Sequence, residues 1–129
     1  MGEILKILLV EDNLLNQRVV MFSLKKYNHI VTVANNGLEA VEKFNEDEFD
    51  VILMDIMMPV MDGLEATVKI REVEEMKKKE RRTPIIALTA NTMDNDREKC
   101  ISYGMDDFMA KPFDIERMKV IFSELDIIS

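Results

Sequence analysis

Short apolar runs alternate with segments of helical periodicity along the whole chain, and this alternation limits the fold more than any other feature. Five segments have strand character: residues 4–10, 30–34, 50–54, 83–89 and 107–110. Strands that alternate with helices pair in parallel, because each crossover helix covers one face of the sheet. The pattern therefore predicts an α/β fold, a doubly wound parallel sheet of five strands in one domain of residues 1–129.

Five helices are predicted in the segments between and after the strands. Their core-facing residues are expected to be Val20, Leu24 and Tyr27, then Leu38, Val41 and Phe44, and in the last helix Ile115, Met118, Phe122 and Leu125. The third helix is predicted to continue through the charged segment 71–82, where Glu74 and Lys78 have the i,i+4 spacing of a solvated ion pair. The fourth helix is expected within residues 91–104, and Asp114 is expected to cap the fifth.

The charge of the chain argues against nucleic-acid and membrane partners. With 25 Asp and Glu residues against 17 Lys and Arg, its formal net charge is −8. Nucleic acids and anionic membrane surfaces attract clustered positive charge instead, so direct contact with either is not expected. No apolar run approaches the length of a transmembrane helix. The single cysteine, Cys100, excludes an internal disulfide, which fits a reducing compartment, and the expected location is the cytoplasm.

Ionisable and hydroxyl side chains stand at the ends of four predicted strands. Glu11 and Asp12 follow the first strand, and Asp55 follows the apolar run of the third. Thr89 ends the fourth strand, and Lys111 follows the fifth. Functional groups of doubly wound sheets lie in the crevice at the carboxyl ends of the strands, so these five side chains are expected to converge there.

The chemistry of this set points to phosphoryl transfer. Crowded carboxylates raise one another's pKa unless a cation lies among them, and an oxygen-only donor set favours a hard cation, Mg²⁺ first. A carboxylate can attack phosphorus and form an aspartyl phosphate. Such transfer depends on positioning and charge neutralisation, which a metal ion, a lysine and a hydroxyl supply. Asp55, alone at the end of a central strand, is the predicted nucleophile.

A resemblance to the receiver domain of two-component response regulators is carried by four segments: ILLVEDNLLNQRVV, VILMDIMMPVMDGLEA, TPIIALTAN and GMDDFMAKPF. Their wording most resembles receivers fused to hybrid sensor histidine kinases. The match extends from about residue 5 to about residue 125. The resemblance implies a flavodoxin-like (βα)5 sheet with strand order 2-1-3-4-5 and a cis peptide bond between Lys111 and Pro112.

The resemblance also implies roles for individual residues. Asp55 would accept the phosphoryl group, Thr89 would contact the phosphoryl oxygens, and Lys111 would pair with the phosphate. The implied ligands of Mg²⁺, or of Mn²⁺ in its place, are Asp12, Asp55, the backbone carbonyl of Met57 and, largely through water, Glu11. Phe108 stands at the position of a rotating aromatic residue, which would turn inward as Thr89 moves toward the phosphate.

The implied partners are a histidine kinase or histidine phosphotransfer domain as donor and a downstream effector that the sequence does not identify. A phosphorylation-dependent homodimer is left open. Four apolar side chains are predicted on the first helix, away from its core-facing residues: Leu14, Leu15, Met21 and Phe22. They are interpreted either as a docking surface for the histidine-bearing partner or as residues packed beneath neighbouring loops.

Two other functions compete with a phosphoacceptor switch. Phosphohydrolases and phosphotransferases of the haloacid dehalogenase type also use a strand-end aspartate, but they need a second aspartate two positions later, where Met57 stands. A docking module that keeps the fold without being phosphorylated has no need of the complete set of carboxylates, hydroxyl and lysine. The chain is therefore interpreted as a signalling phosphoacceptor rather than as an enzyme with turnover.

Overall fold

The computed structural model describes residues 4–89 and 94–127, and for residues 94–97 the backbone alone. Strands and helices alternate through these residues. The strands are β1 (Lys6–Val10), β2 (Ile30–Ala34), β3 (Val51–Asp55), β4 (Ile85–Thr89) and β5 (Asp107–Ala110). The helices are α1 (Leu14–Lys26), α2 (Gly37–Glu46), α3 (Gly63–Met76), α4 (Asp94–Ser102) and α5 (Ile115–Glu124).

All neighbouring strands of the sheet pair in parallel, in the order β2-β1-β3-β4-β5. The chain runs from β1 to β2 at one edge and then crosses back to β3 on the other side of β1. The direction of winding therefore reverses between β1 and β3, which is where a doubly wound sheet opens a crevice at its carboxyl edge. The predicted fold class and strand order are confirmed.

The hydrophobic core forms one layer on each face of the sheet. On one face, Leu24 of α1 and Phe122 of α5 pack against the central strands. On the other face, Phe44 of α2 and Ile70 of α3 do the same. Strands β3 and β4 are buried along their whole length, which explains why their sequences are continuous apolar runs rather than alternating patterns.

The charged segment after α3 differs from the prediction. The helix ends at Met76, and Lys78 has a φ of 50°, so the segment does not continue as a helix. Glu74 is buried, and its carboxylate pairs with Arg71 and accepts a hydrogen bond from the Thr83 backbone N–H. The predicted ion pair between Glu74 and Lys78 is therefore wrong, because a buried carboxylate needs its cation and donors inside the protein.

Two side chains predicted to face the core are exposed instead. Tyr27 is the C-cap of α1, and Lys119 of α5 covers its ring, with Nζ 4.0 Å from the ring centroid. Leu38 lies in the first turn of α2, whose buried face runs through Ala40 and Phe44. Tyr27 follows the last residue of α1 and so does not continue its buried face, and Leu38 lies beside the buried face of α2 rather than on it.

The ends of the last two helices agree with the prediction where the structure describes them. Gly104 follows α4 with a φ of 109°, and the Asp114 side chain accepts a hydrogen bond from the Glu116 N–H at the start of α5. The predicted start of the fourth helix at residues 91–93 lies outside the described residues. No helix within residues 4–89 and 94–127 is long and apolar enough to cross a membrane.

His29 is expected to make the fold less stable in mild acid. Its Nδ1 accepts a hydrogen bond from the Leu5 N–H at 3.0 Å, and burial lowers the pKa of His29 below 6.5. The His29 imidazole is therefore protonated at a higher pH in the unfolded chain than in the folded chain. The stabilising contribution is full above about pH 6.5 and is lost as the pH falls through the folded pKa.

Urea unfolding at about pH 7.5 and about pH 5.5 measures this effect. A His29→Gln variant can accept the same hydrogen bond through its side-chain oxygen but does not titrate, so it should lose less stability between the two conditions. Equal losses in the two proteins would contradict the prediction.

Candidate functional site

Three carboxylates meet where the winding of the sheet reverses. Glu11 and Asp12 directly follow β1, and Asp55 is the last residue of β3. One oxygen of each carboxylate lies within 4.8 Å of an oxygen of the other two. Glu11 and Asp55 are 2% and 3% exposed, whereas Asp12 is open to solvent. The structure thus brings together the three acidic residues that the strand ends predicted.

Lys111 supplies positive charge to this cluster from the end of β5. Its Nζ lies 3.1 Å from Asp55 Oδ2 and 3.2 Å from Glu11 Oε1. Although burial works to lower it, the hydrogen bonds and charges of Asp55 and Glu11 raise the pKa of Lys111 above its usual value. The ammonium group therefore stays charged and offsets part of the negative charge of the two buried carboxylates.

The donor set of this site suits a hard divalent cation. Burial, and after it the neighbouring Glu11 carboxyl, raise the pKa of Asp12 above its usual value. The carboxylates offer oxygen atoms only, and these lie close enough together to share one ion. Mg²⁺ or Mn²⁺ fits such a set better than a metal that prefers imidazole or thiolate.

The loop after β3 lies tightly against the end of the strand. The Met57 N–H donates to Asp55 Oδ1 at 3.2 Å, while the Met57 side chain is exposed. A Cβ atom at Gly63 would lie 2.3 Å from the Asp55 carbonyl oxygen, so only glycine allows α3 to start here. This close approach is not visible in the local sequence, because it brings Gly63 against the backbone of β3.

Thr89 and Phe108 lie on neighbouring strands. Thr89 is buried at the end of β4, and its backbone carbonyl accepts a hydrogen bond from the Lys111 N–H at 2.8 Å. Phe108 pairs in register with Ala87 and packs, half-buried, against the core on the α2–α3 face of the sheet. The peptide bond between Lys111 and Pro112 is cis.

The outward face of α1 differs from the prediction at one position. Of the two interpretations left open, exposure holds for Leu14, Leu15 and Phe22, with Leu15 and Phe22 at 70% and 76% exposed. Met21 is instead partly buried against the core between α1 and the sheet, because it lies one helical turn from inward-facing residues. Val19 takes its place and is 51% exposed.

The exposed apolar side chains of α1 lie beside the acidic cluster. A cavity of about 360 Å³ opens beside it and is lined, among others, by Val19, Glu11, Lys111 and Phe113. The exposed side chains Leu15, Val19 and Phe22 are called the α1 stripe below. The stripe is therefore continuous with the site and not an isolated patch.

Comparison with known proteins places this architecture in a family. The family model described as the response regulator receiver domain matches residues 7–123. Hybrid signal transduction histidine kinase B of Dictyostelium discoideum is 48% identical over 114 residues, which cover 83% of this chain and 6% of that kinase. The chain thus spans only a small part of the length of such curated relatives.

Two solved structures are similar over nearly the whole chain. The receiver domain of the sensor histidine kinase PA1611 from Pseudomonas aeruginosa, with a magnesium ion coordinated in its active-site cleft, has 42% identity and a TM-score of 0.82, covering 95% of this chain and 97% of that one. The receiver domain of the response regulator Ssk1 from Saccharomyces cerevisiae, solved with the histidine phosphotransfer protein Ypd1, has 31% identity and a TM-score of 0.86, covering 96% and 90%. Since sequence, fold and acidic cluster agree, the chain belongs to the response regulator receiver domains of two-component phosphorelays and is similar to the receiver regions of hybrid histidine kinases.

Proposed function

We propose that residues 1–129 act as a single receiver domain that takes a phosphoryl group from a histidine onto Asp55. The observation that carries this proposal is the environment of the Asp55 carboxylate. It is buried at a strand end, 3.1 Å from the Lys111 ammonium and among two further carboxylates. Burying a carboxylate costs free energy unless its charge is paired or has a chemical role. Attack on phosphorus beside the Lys111 ammonium would be such a role.

Mg²⁺ is the proposed cofactor, with Mn²⁺ as a substitute. Glu11, Asp12 and Asp55 would hold the ion, together with the backbone carbonyl of Met57, whose N–H already anchors the loop to Asp55. When bound, the ion would neutralise negative charge on the transferred phosphoryl group and help to orient it. The similar receiver of PA1611, which coordinates magnesium in its cleft, supports this assignment.

The side chains of the chain itself position the transfer. An Asp55 oxygen forms the new bond to phosphorus as the bond from phosphorus to the donor imidazole nitrogen breaks. Lys111 is held beside that oxygen and would pair with the phosphate, and the Thr89 hydroxyl at the end of β4 would contact its oxygens. The same groups would assist hydrolysis of the aspartyl phosphate, so the domain takes part in its own dephosphorylation.

The proposed donor is a histidine kinase or a histidine phosphotransfer domain in the cytoplasm. The relatives of the chain are histidine kinases, and the similar Ssk1 receiver was solved with a phosphotransfer protein. The phosphate adds negative charge and strong acceptor oxygens, which would draw Thr89 inward and let Phe108 turn. The changed surface would then bind an effector or a second phosphorylated copy of the chain.

Intact mass spectrometry after incubation with acetyl phosphate and Mg²⁺ tests the proposal. We expect an adduct of a single phosphate that requires the metal, disappears with EDTA and is cleaved by hydroxylamine, as an acyl phosphate is. Beryllofluoride with Mg²⁺ should change the amide spectrum around the site. If neither reagent acts, and a phosphorylated phosphotransfer domain labels nothing, the chain is a docking module instead.

Thr89→Ala and Phe108→Ala are expected to separate phosphorylation from the structural response. Neither side chain forms the bond to phosphorus, so acetyl phosphate should still label both variants. Amide chemical shifts of α4 and β5, recorded with Mg²⁺ and beryllofluoride, should change less than in the unmodified chain. A full response in both variants would exclude the proposed switch.

Phe22→Ala is expected to slow transfer from a phosphorylated histidine phosphotransfer domain by about tenfold, the usual cost of removing an aromatic contact at an interface. The reason is that Phe22 is the most exposed member of the α1 stripe, which adjoins the cavity beside Lys111. Labelling by acetyl phosphate should be unchanged, since that donor needs no docking surface.

The matched control is Val120→Ala on α5, another exposed apolar residue that lies outside the α1 stripe. It should transfer at the rate of the unmodified chain. If Phe22→Ala and Val120→Ala behave alike, the α1 stripe is not the docking surface.

A further inference from the structure

Gln17 is a buried polar residue of α1 whose side chain reaches outside its own helix. It is 6% exposed, and its Nε2 donates to the Glu11 backbone carbonyl at 2.5 Å and to Asn35 Oδ1 at 2.8 Å. The two hydrogens of the amide therefore bind two different loops, one after β1 and one after β2. A glutamine that only needed hydrogen-bond partners for its own amide could have found them within its own helix or in one loop alone.

The carbonyl that Gln17 holds belongs to the peptide unit between Glu11 and Asp12. The Glu11 N–H donates to the Ala34 carbonyl at 3.1 Å, so the backbone of Glu11 is held by β2 on one side and by Gln17 on the other. The direction in which both acidic side chains leave the backbone depends on this peptide. Any rotation of it would move the two carboxylates relative to Asp55.

The second acceptor of Gln17 is itself anchored. The backbone N–H and the side-chain Nδ2 of Asn35 both donate to Glu39 Oε1 at 3.2 Å. A line of hydrogen bonds thus runs from the Glu11 carbonyl through Gln17 and Asn35 to the first turn of α2. This line prevents the Gln17 amide from rotating and keeps one of its hydrogens directed at Glu11.

We propose that Gln17 is a positioning residue for the cation site, whose side-chain amide fixes the Glu11–Asp12 peptide so that both carboxylates face Asp55. The inference rests on the proposed function, because it assumes that these carboxylates hold Mg²⁺. Gln17 itself contacts neither the ion nor the phosphate. It acts through the backbone of the residues that do, as hydrogen-bond partners behind metal ligands commonly act.

Mg²⁺ titration of Gln17→Met by isothermal calorimetry tests the inference without any phosphorylation step. Methionine keeps the length of the side chain but has no hydrogen to donate. We expect Mg²⁺ to bind about tenfold more weakly, at the lower end of losses from such partners because Gln17 works through the backbone. Glu74→Ala controls for lost stability. It disturbs a buried ion pair near the start of β4, at the opposite end of the strands from the site, and should bind Mg²⁺ normally.

Asn35→Ala provides a second variant that should fold even if Gln17→Met does not, since Asn35 is exposed. It frees the Gln17 amide to rotate and should weaken Mg²⁺ binding in the same direction by less. Normal Mg²⁺ affinity in a folded Gln17→Met, or in Asn35→Ala, would overturn the inference and leave the proposed function standing. Failure of the unmodified chain to bind Mg²⁺ would instead count against the proposed function itself.

Discussion

Asp55→Asn is expected to take up no phosphate from either acetyl phosphate or a phosphorylated histidine domain. The amide that replaces the carboxylate has no anionic oxygen to attack phosphorus, although it has nearly the same size and shape. Lys111 keeps its ion pair with Glu11 in the variant, so its position should be retained. Intact mass after incubation with Mg²⁺ and donor measures the result, and urea unfolding checks that the variant is folded.

Asp62→Asn is the matched control for this substitution. Asp62 is an exposed aspartate in the same loop, and its side chain caps α3 by accepting the Glu65 N–H at 2.8 Å. Asparagine caps a helix equally well, so the variant should be stable and fully labelled. A phosphate adduct on Asp55→Asn would show that another residue is the acceptor, and peptide mapping would then identify it.

Arg71→Met is expected to lower the free energy of unfolding by about 3 kcal/mol, the cost of removing one partner from a buried ion pair. The Arg71 guanidinium joins α3 to the segments before β4 and β5 through four acceptors at 2.8–2.9 Å: the carbonyls of Thr83 and Gly104 and the carboxylates of Glu74 and Asp106. Methionine would leave the Glu74 carboxylate buried without its cation. Since domains of this size are stable by only about 5–15 kcal/mol, the loss should be plain in the urea midpoint.

Arg82→Met tests how far the loss of stability depends on the burial of the ion pair. Arg82 also pairs with Asp106, at 3.2 Å, but its side chain is mostly exposed. Exposed pairs contribute about 0–1 kcal/mol, so its removal should change stability little. A loss of less than about 1 kcal/mol in Arg71→Met, similar to that of Arg82→Met, would mean that the Arg71 contacts add nothing beyond surface charge.

The sequence by itself determined the sheet and the acidic edge. Strands buried on both faces must be continuously apolar, so β3 and β4 are visible as runs with no polar residue before their ends. Parallel strands bring their carboxyl ends to one edge, so Glu11, Asp55 and Lys111 could be predicted to meet although they are far apart in the chain. These inferences need only local pattern and the geometry common to all sheets of this class.

Tertiary structure alone decided which atoms meet. Glu74 pairs with Arg71 and with the Thr83 N–H, and the i,i+4 pattern with Lys78 carried no sign of those competing contacts. The exposure of Val19 rather than Met21 follows from the spacing within α1, because Met21 lies one helical turn from both Gln17 and Leu24, which are buried.

The hydrogen bonds of Gln17 and the close approach at Gly63 were likewise invisible in the sequence, since each brings the residue against another segment of the chain. Local sequence encodes periodicity and chain breaks, because these depend on a residue and its near neighbours. The partner of a buried polar atom depends instead on how whole elements pack, up to the 100 positions that separate Lys111 from Glu11.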